Sequence, residues 1–432
     1  MRGTRSRHCL GVIGLLALIL PLLAGCGSAT NGSPAATTAS ELTATIPEST
    51  PVGRPSTPLA TAAVPRTPVS PIPGIVRSIP ATPLATPPLG VGGSNAPALD
   101  GSGRLTAEEI QIYQPNELGV IPVLQYHVFV TDEAKMDSFT TTIDRFNAQL
   151  QWLYDHNFFL ISMESFISNR ITAPPGKHPV VFTFDDASPG QFRLIRGKDG
   201  TLVPDPLSAV GAMEAFIAIH PDFGRGGFFA VLPSNCFAMP AEPDQLPYCD
   251  RKLTWLSERG YEVGNHTVGH QDLRDVTDDV FAREVGGATL WVRDHVPAPG
   301  ALGDVMVMPY GNYPDKETHQ AQRLMMRDGF QHEGQRIRIR AAFMVGAEPS
   351  VAPSSTLWDP LFISRIQTSD EVLDHWFEAF SDGSVILYVS DGHPGTIVLP
   401  TPLPSELEAE LDPDLIAGQG KKLVNYHPGD QP

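Results

Sequence analysis

Positive charge and cysteine are scarce in this chain of 432 residues. Thirty Lys and Arg stand against 48 Asp and Glu, and the formal net charge is −18. So acidic a chain lacks the phosphate-neutralising surface on which nucleic-acid binding rests, and no nucleic acid is expected among its partners. Of only four cysteines, Cys9 and Cys26 fall near the start, which leaves Cys236 and Cys249 in the body of the chain. No tight C-x-x-C pair occurs, which argues against a thiolate metal site. Outside the cytoplasm the two could instead close a disulfide across "CFAMPAEPDQLPYC".

Long apolar runs are missing too, except at the start, where Leu10–Leu23 follows the basic Arg2, Arg5 and Arg7. A charged start, an apolar stretch and then small residues read as a secretory signal, here over residues 1–25. The "LAGC" at Leu23–Cys26 resembles a bacterial lipobox, in which Cys26 becomes the lipidated N-terminus. Two or three acyl chains there would anchor the protein to a membrane and hold it at the cell surface. Residues 26–104 are mostly Pro, Thr, Ser, Ala and Gly, as in "TPLATAAVPRTPVSPIPG". They offer too little apolar surface for a core, so a disordered linker is expected. As a coil, its roughly 75 residues reach about 50 Å, enough for an anchored domain to work away from the membrane.

From residue 105 to about 400, apolar runs alternate with amphipathic stretches. "IPVLQYHVF" (Ile121–Phe129) reads as a strand, and Phe139, Ile143, Phe146, Leu150 and Leu153 then recur at helical spacing. Further strands are expected at "FFLIS", "VVFTF", "GGFFAVL", "YEVGNHT", "VMVMPYG", "AAFMVGA", "LFISRIQ" and "SVILYVSDG", with helices between most of them. Regular β-α alternation implies a parallel sheet, and this number of units favours a distorted (β/α) barrel of about seven strands. In such barrels the active site lies where the strands end, on the C-terminal rim. Residues 401–432 are left as a C-terminal tail.

"VVFTFDDASPG" (Val180–Gly190) carries the clearest polar signal. A buried strand runs into two adjacent carboxylates, which repel as anions and lose hydration on burial. "NHTVGH" ends another strand, with His266 and His270 four apart and so facing one way on a helical turn. One carboxylate and two imidazoles suit a divalent ion such as zinc. With Asp186 bonded to that ion, the neighbouring Asp185 stays ionised and is free to act as a base. Alone, an Asp-Asp pair is ordinarily a loop or cap, and an H-x-x-x-H is weak in a chain with thirteen histidines. Their joint position at strand ends carries the signal.

"TFDD" (Thr183–Asp186), "HTVGH" (His266–His270) and "MPYG" (Met308–Gly311), in that order, resemble the first three motifs of the polysaccharide deacetylases, carbohydrate esterase family four. The resemblance implies a distorted barrel and metal-dependent hydrolysis of acetyl groups on sugars. Position by position, it makes Asp185 the general base and Asp186, His266 and His270 the ligands of one divalent ion, zinc in expectation. It also makes Tyr310 a substrate-binding residue, through its backbone N–H. Two features depart from the pattern. Val307 stands where many members have an arginine, and the late strand has no histidine in register, His393 coming a few residues late. The branch acting on poly-β-1,6-N-acetylglucosamine also lacks the arginine and takes its acid from an early "YH", here Tyr126-His127. His127 is therefore the expected general acid, with His393 as the alternative. As an imidazolium beside ionised Asp185, it would add an alkaline limb to the rate profile.

The stretch 188–225 is longer than the family places after its first motif, and reads as an insertion, either a substrate-facing lid or a surface loop. The expected function is a cell-surface deacetylase of an N-acetylated polysaccharide. Two other readings stand beside it: a non-catalytic glycan-binding lipoprotein of the same fold, and an O-acetyl esterase acting on polysaccharide.

Overall fold

The computed structural model describes residues 104–239 and 243–429. The signal, the lipobox at Cys26 and nearly all of the linker lie outside the described residues. Among those described, no helix is long and apolar enough to cross a membrane.

Eight strands form one sheet: β1 (Val123–Tyr126), β2 (Phe158–Leu160), β3 (His178–Phe184), β4 (Phe228–Val231), β5 (Glu262–Asn265), β6 (Ala301–Val307), β7 (Ala341–Phe343) and β8 (Ile366–Gln367). Seven follow the order β7-β6-β5-β4-β3-β1-β8, and β2 pairs with the first half of β3. Every pairing is parallel. A parallel bridge between Phe343 and Ile363, just ahead of β8, spans the remaining gap. The result is the distorted seven-stranded (β/α) barrel that the alternation predicts.

Strands buried on both faces carry apolar residues at every position, because each face packs on something dry. Val123, Val181, Val305, Val307 and Phe343 fill the barrel interior. Leu124, Tyr126, Phe182 and Phe184 face outward onto Phe146, Leu150 and Leu153 of the helix α1 (Ile143–Asp155). Each such fully buried side chain contributes about 1.5–3 kcal/mol. The helix begins where Thr142 accepts a hydrogen bond from the Arg145 N–H. Gly264 in β5 is required by close approach: a Cβ there would lie 2.1 Å from the Phe228 ring.

Cys236 and Cys249 are joined in a disulfide. Closing so short a loop contributes about 3 kcal/mol in the chain-entropy account.

Three expectations need correction. "IPVLQYHVF" does not continue as one strand: the chain leaves the barrel at His127, and Val128–Val130 pairs instead with Thr140–Thr142. "SVILYVSDG" adds no strand to the barrel. Its backbone is taken up by residues 116–120, through Val120 N–H to Ile386 O and Asn116 N–H to Val389 O. The boundary at 400 divides a structural unit, since Thr396–Pro400 pairs in parallel with Lys422–Tyr426. Leu118, Ile397, Leu399, Leu407 and Ile416 make a small core there.

Candidate active site

Register brings the polar residues together. Tyr126 pairs with Phe184 across β1 and β3, so the next residue of each strand, His127 and Asp185, emerges at the same rim. Val231 pairs with Asn265 across β4 and β5, which places His266 one step beyond. His127, Asp185, Asp186, His266, His270 and Tyr310 all line one cavity of about 320 Å³.

Asp186 Oδ1 lies 3.2 Å from His266 Nε2 and 3.5 Å from His270 Nε2. The three ligand atoms fall within 4.8 Å of one another. Ligands of a tetrahedral zinc at its usual bond lengths are about 3.3 Å apart, so the carboxylate's two spacings fit one ion. His266 supplies the sharper test. Its Nδ1 donates to the Val307 carbonyl at 3.0 Å, which leaves the buried Nε2 as a lone pair with no hydrogen-bond partner. Burial pushes the His266 imidazole pKa down, but Asp186 and Asp185 outweigh it and raise the pKa. The site favours positive charge at that nitrogen, which a proton or a metal ion held with Asp186 and His270 would supply.

The four-residue spacing of the histidines is realised by a loop rather than by the helical turn expected. Thr267 and His270 have φ of 66° and 54°. Asn265 Oδ1 accepts the Thr267 N–H, and Glu284 Oε2 accepts the Gly269 N–H. Glu284 belongs to a π-helical turn, Ala282–Gly286, ahead of α2 (Gly287–His295). Asp186, Ala187 and Tyr310 also have positive φ, so left-handed backbone gathers at this rim.

Asp185 is held differently. Arg365, just ahead of β8 and fully buried, donates from Nη1 to Oδ1 at 2.8 Å and from Nη2 to Oδ2 at 2.9 Å. The same guanidinium donates to Thr183 Oγ1 and to the Met344 carbonyl. Burial pushes the Asp185 carboxyl up, yet Arg365 and then His127 overcome it and hold it at about 2. Sequence reasoning missed Arg365. Its one signal is a cation inside the apolar run "LFISRIQ", which must find an anion if that run is buried. Val307, where the resemblance leads one to expect an arginine, contributes its carbonyl to His266 instead.

His127 Nε2 lies 3.4 Å from Asp185 Oδ2. Burial lowers the His127 pKa more than the nearby carboxylates raise it, which favours the neutral imidazole over the imidazolium expected. His393 sits elsewhere. The segment leading to it bonds Ser390 N–H to Lys177 O, at the start of β3, and β3 carries the chain about 26 Å from there to Asp185.

The insertion contributes no lining residue to the cavity, and its hairpin, Leu194–Arg196 with Leu202–Pro204, is not placed as a lid. Gln191 at its start is nevertheless part of the site's frame. The buried amide donates to the carbonyls of both His127, at 2.6 Å, and Asp185, and so ties the two strand ends together.

Residues 236–328 match the family model for polysaccharide deacetylase. No curated protein matches the chain. Among solved structures, the chain is similar to a Streptococcus pyogenes deacetylase, PplD, in complex with acetate. Identity there is 18% and the TM-score 0.41, over 60% of this chain and 98% of that one. It is similar to IcaB of Ammonifex degensii at 17% identity and a TM-score of 0.40, over 61% and 97%. A polysaccharide deacetylase of Bacillus cereus is 15% identical with a TM-score of 0.40, over 60% and 69%. The matched stretch contains His266, His270 and the Pro309–Gly311 turn, so two of the three ordered motifs lie within the part of the chain that is similar to the polysaccharide deacetylases.

Proposed function

We propose that this chain is a metal-dependent hydrolase that removes N-acetyl groups from an N-acetylglucosamine-containing polysaccharide of the cell envelope or extracellular matrix. The observation that carries this reading is the gathering of Asp186, His266 and His270 with Asp185 and His127 in one cavity. Asp186, His266 and His270 would hold one divalent ion, with zinc favoured by the ligand types; when bound, it supplies Lewis-acid polarisation of the acetyl carbonyl and of water. Asp185, fixed by Arg365, takes the proton of the attacking water. His127 hands a proton to the leaving nitrogen, and since its neutral form is favoured at rest, it must first receive one across its 3.4 Å contact with Asp185. On this reading the backbone N–H of Tyr310, in the Pro309–Gly311 turn, donates to the oxyanion. On the same reading the protein is tethered at the cell surface through lipidated Cys26, and the support for this is the "LAGC" that follows the apolar run.

A buried pair of this kind also stabilises a fold, but a carboxylate held ionised at the rim of the cavity beside His127 is what a general base requires. The Asp185–Arg365 pair therefore favours catalysis over the non-catalytic reading. Acetate release from a panel of N- and O-acetylated glycans, with and without a chelator, tests the proposal and separates amide from ester substrates. Chelation is expected to abolish release. His266→Ala and His270→Ala should each strip most of the metal, and full metal occupancy in the double variant would sink the ligand assignment.

His127→Ala should slow amide substrates far more than activated aryl esters, whose leaving groups need little protonation. Because the neutral imidazole is already favoured at rest, the variant and the parent should share the same alkaline limb. A limb above about pH 7 that disappears in His127→Ala would instead restore the resting imidazolium.

A further inference from the structure

A polysaccharide must lie across the mouth of the cavity, because its acetylated sugar has neighbours in the chain. Two exposed rings stand there. Of the Phe, Tyr and Trp side chains among the described residues, only Phe139 and Tyr310 are counted as exposed, at 46% and 61%, and both line this cavity. Phe139 packs edge-on against His127 at 5.0 Å, and Tyr310 edge-on against His270 at 4.5 Å. One aromatic therefore flanks the proton-transfer pair and the other the metal ligands. Phe139 is held in place by its carbonyl, which accepts the Val128 N–H at 3.1 Å.

Beyond Tyr310 a second hollow of about 470 Å³ opens, sharing His270 and Tyr310 with the cavity and lined also by Asp272, Arg274 and Asn312. Arg274 donates to Asp272 Oδ2 from Nε at 3.0 Å and from Nη2 at 2.7 Å, and the Asn312 amide donates to the same oxygen at 3.0 Å. The Asp272 charge is thus matched by Arg274, so the hollow is polar without a net charge. Such a surface fits a neutral, hydroxyl-rich ligand, whereas an ionic ligand would have to displace that pair.

We propose that the Asp272–Arg274–Asn312 hollow is the subsite for the sugar next to the acetylated unit, with Tyr310 as a stacking platform between the hollow and the cavity and Phe139 as a second one on the cavity's far side, beside His127. The protein then acts within a chain of neutral N-acetylated sugars rather than on a single sugar. This rests on the deacetylase reading, and the experiment separates the two. N-acetylglucosamine oligomers of increasing length are titrated calorimetrically, and acetate release is followed in the same samples. Affinity should rise roughly 10–100-fold from the single sugar to the first oligomer that reaches the hollow. Asp272→Ala combined with Asn312→Ala should flatten that rise, and Phe139→Ala should weaken every length. Arg336→Ala, on the exposed strand Gln335–Ile337 away from the cavity, should keep the rise. Length-independent binding by the parent, or an undiminished rise in the double variant, would overturn the subsite. Binding that strengthens with length but releases no acetate would leave the subsite standing and refute the deacetylase reading.

Discussion

Asp185→Asn is expected to lower turnover on the order of 10²–10⁴-fold while keeping all three metal ligands, because an amide cannot take the proton of the attacking water. A second effect follows from Arg365. Its guanidinium is fully buried and both Nη donors are committed to Asp185. Removing the anion leaves that cation without compensation, at a cost of about 3–5 kcal/mol. The variant should therefore unfold at lower denaturant concentration, and its turnover must be compared per folded, metal-loaded chain. Combining Asp185→Asn with Arg365→Leu removes both charges, and should recover much of the stability but none of the turnover. Wild-type turnover by folded Asp185→Asn would place the base elsewhere. Equal stability loss in the single and double variants would show that the ion pair is not the source of the destabilisation.

The barrel was legible because strands buried on both faces spell unbroken apolar runs, as Val180–Phe184 does. The rim was legible because short polar motifs end those runs, and the register of β1 on β3 does the rest. Spacing alone could not tell a loop from a helical turn at His266 and His270, since either brings residues four apart onto one side. The deciding contacts come from Asn265 and from Glu284 in a separate helical segment. "SVILYVSDG" has the alternation of a strand, but residues 116–120 compete for its backbone groups, and that competition has no local signature. Arg365 was the largest omission. Its partner lies 180 residues earlier, and nothing near either residue names the other. Gln191 shows the same limit: an amide in an apparent insertion turns out to brace two strand ends.

Arg365→Leu should be nearly as damaging as loss of the base itself, and its pH dependence identifies the reason. In the intact chain burial pushes the Asp185 carboxyl up, while the guanidinium and His127 hold it at about 2, below the ordinary 3.8. A carboxyl depressed in this way adds stability that is present above its unfolded value and lost as pH falls through about 2. Without Arg365, only His127 and His266 still oppose burial, and the carboxyl is expected to rise. The ionised form is then penalised at neutral pH, and protonation relieves the penalty on acidification. Destabilisation relative to the parent should accordingly be greatest near neutral pH, at about 3–5 kcal/mol, and shrink toward acid. Turnover should carry the same mark, because a base that protonates more readily moves the acid limb of the rate profile to higher pH. Arg365→Lys restores the charge, but one ammonium cannot make the forked pair with both oxygens while also reaching Thr183 and Met344. It should recover part of the stability and return the acid limb toward the parent's, with kcat still reduced because the carboxylate is no longer aimed. Urea unfolding across the acidic and neutral range, together with kcat–pH profiles for both variants, provides the measurement. Full turnover and an unmoved acid limb in Arg365→Leu would mean that Asp185 needs no arginine beside it.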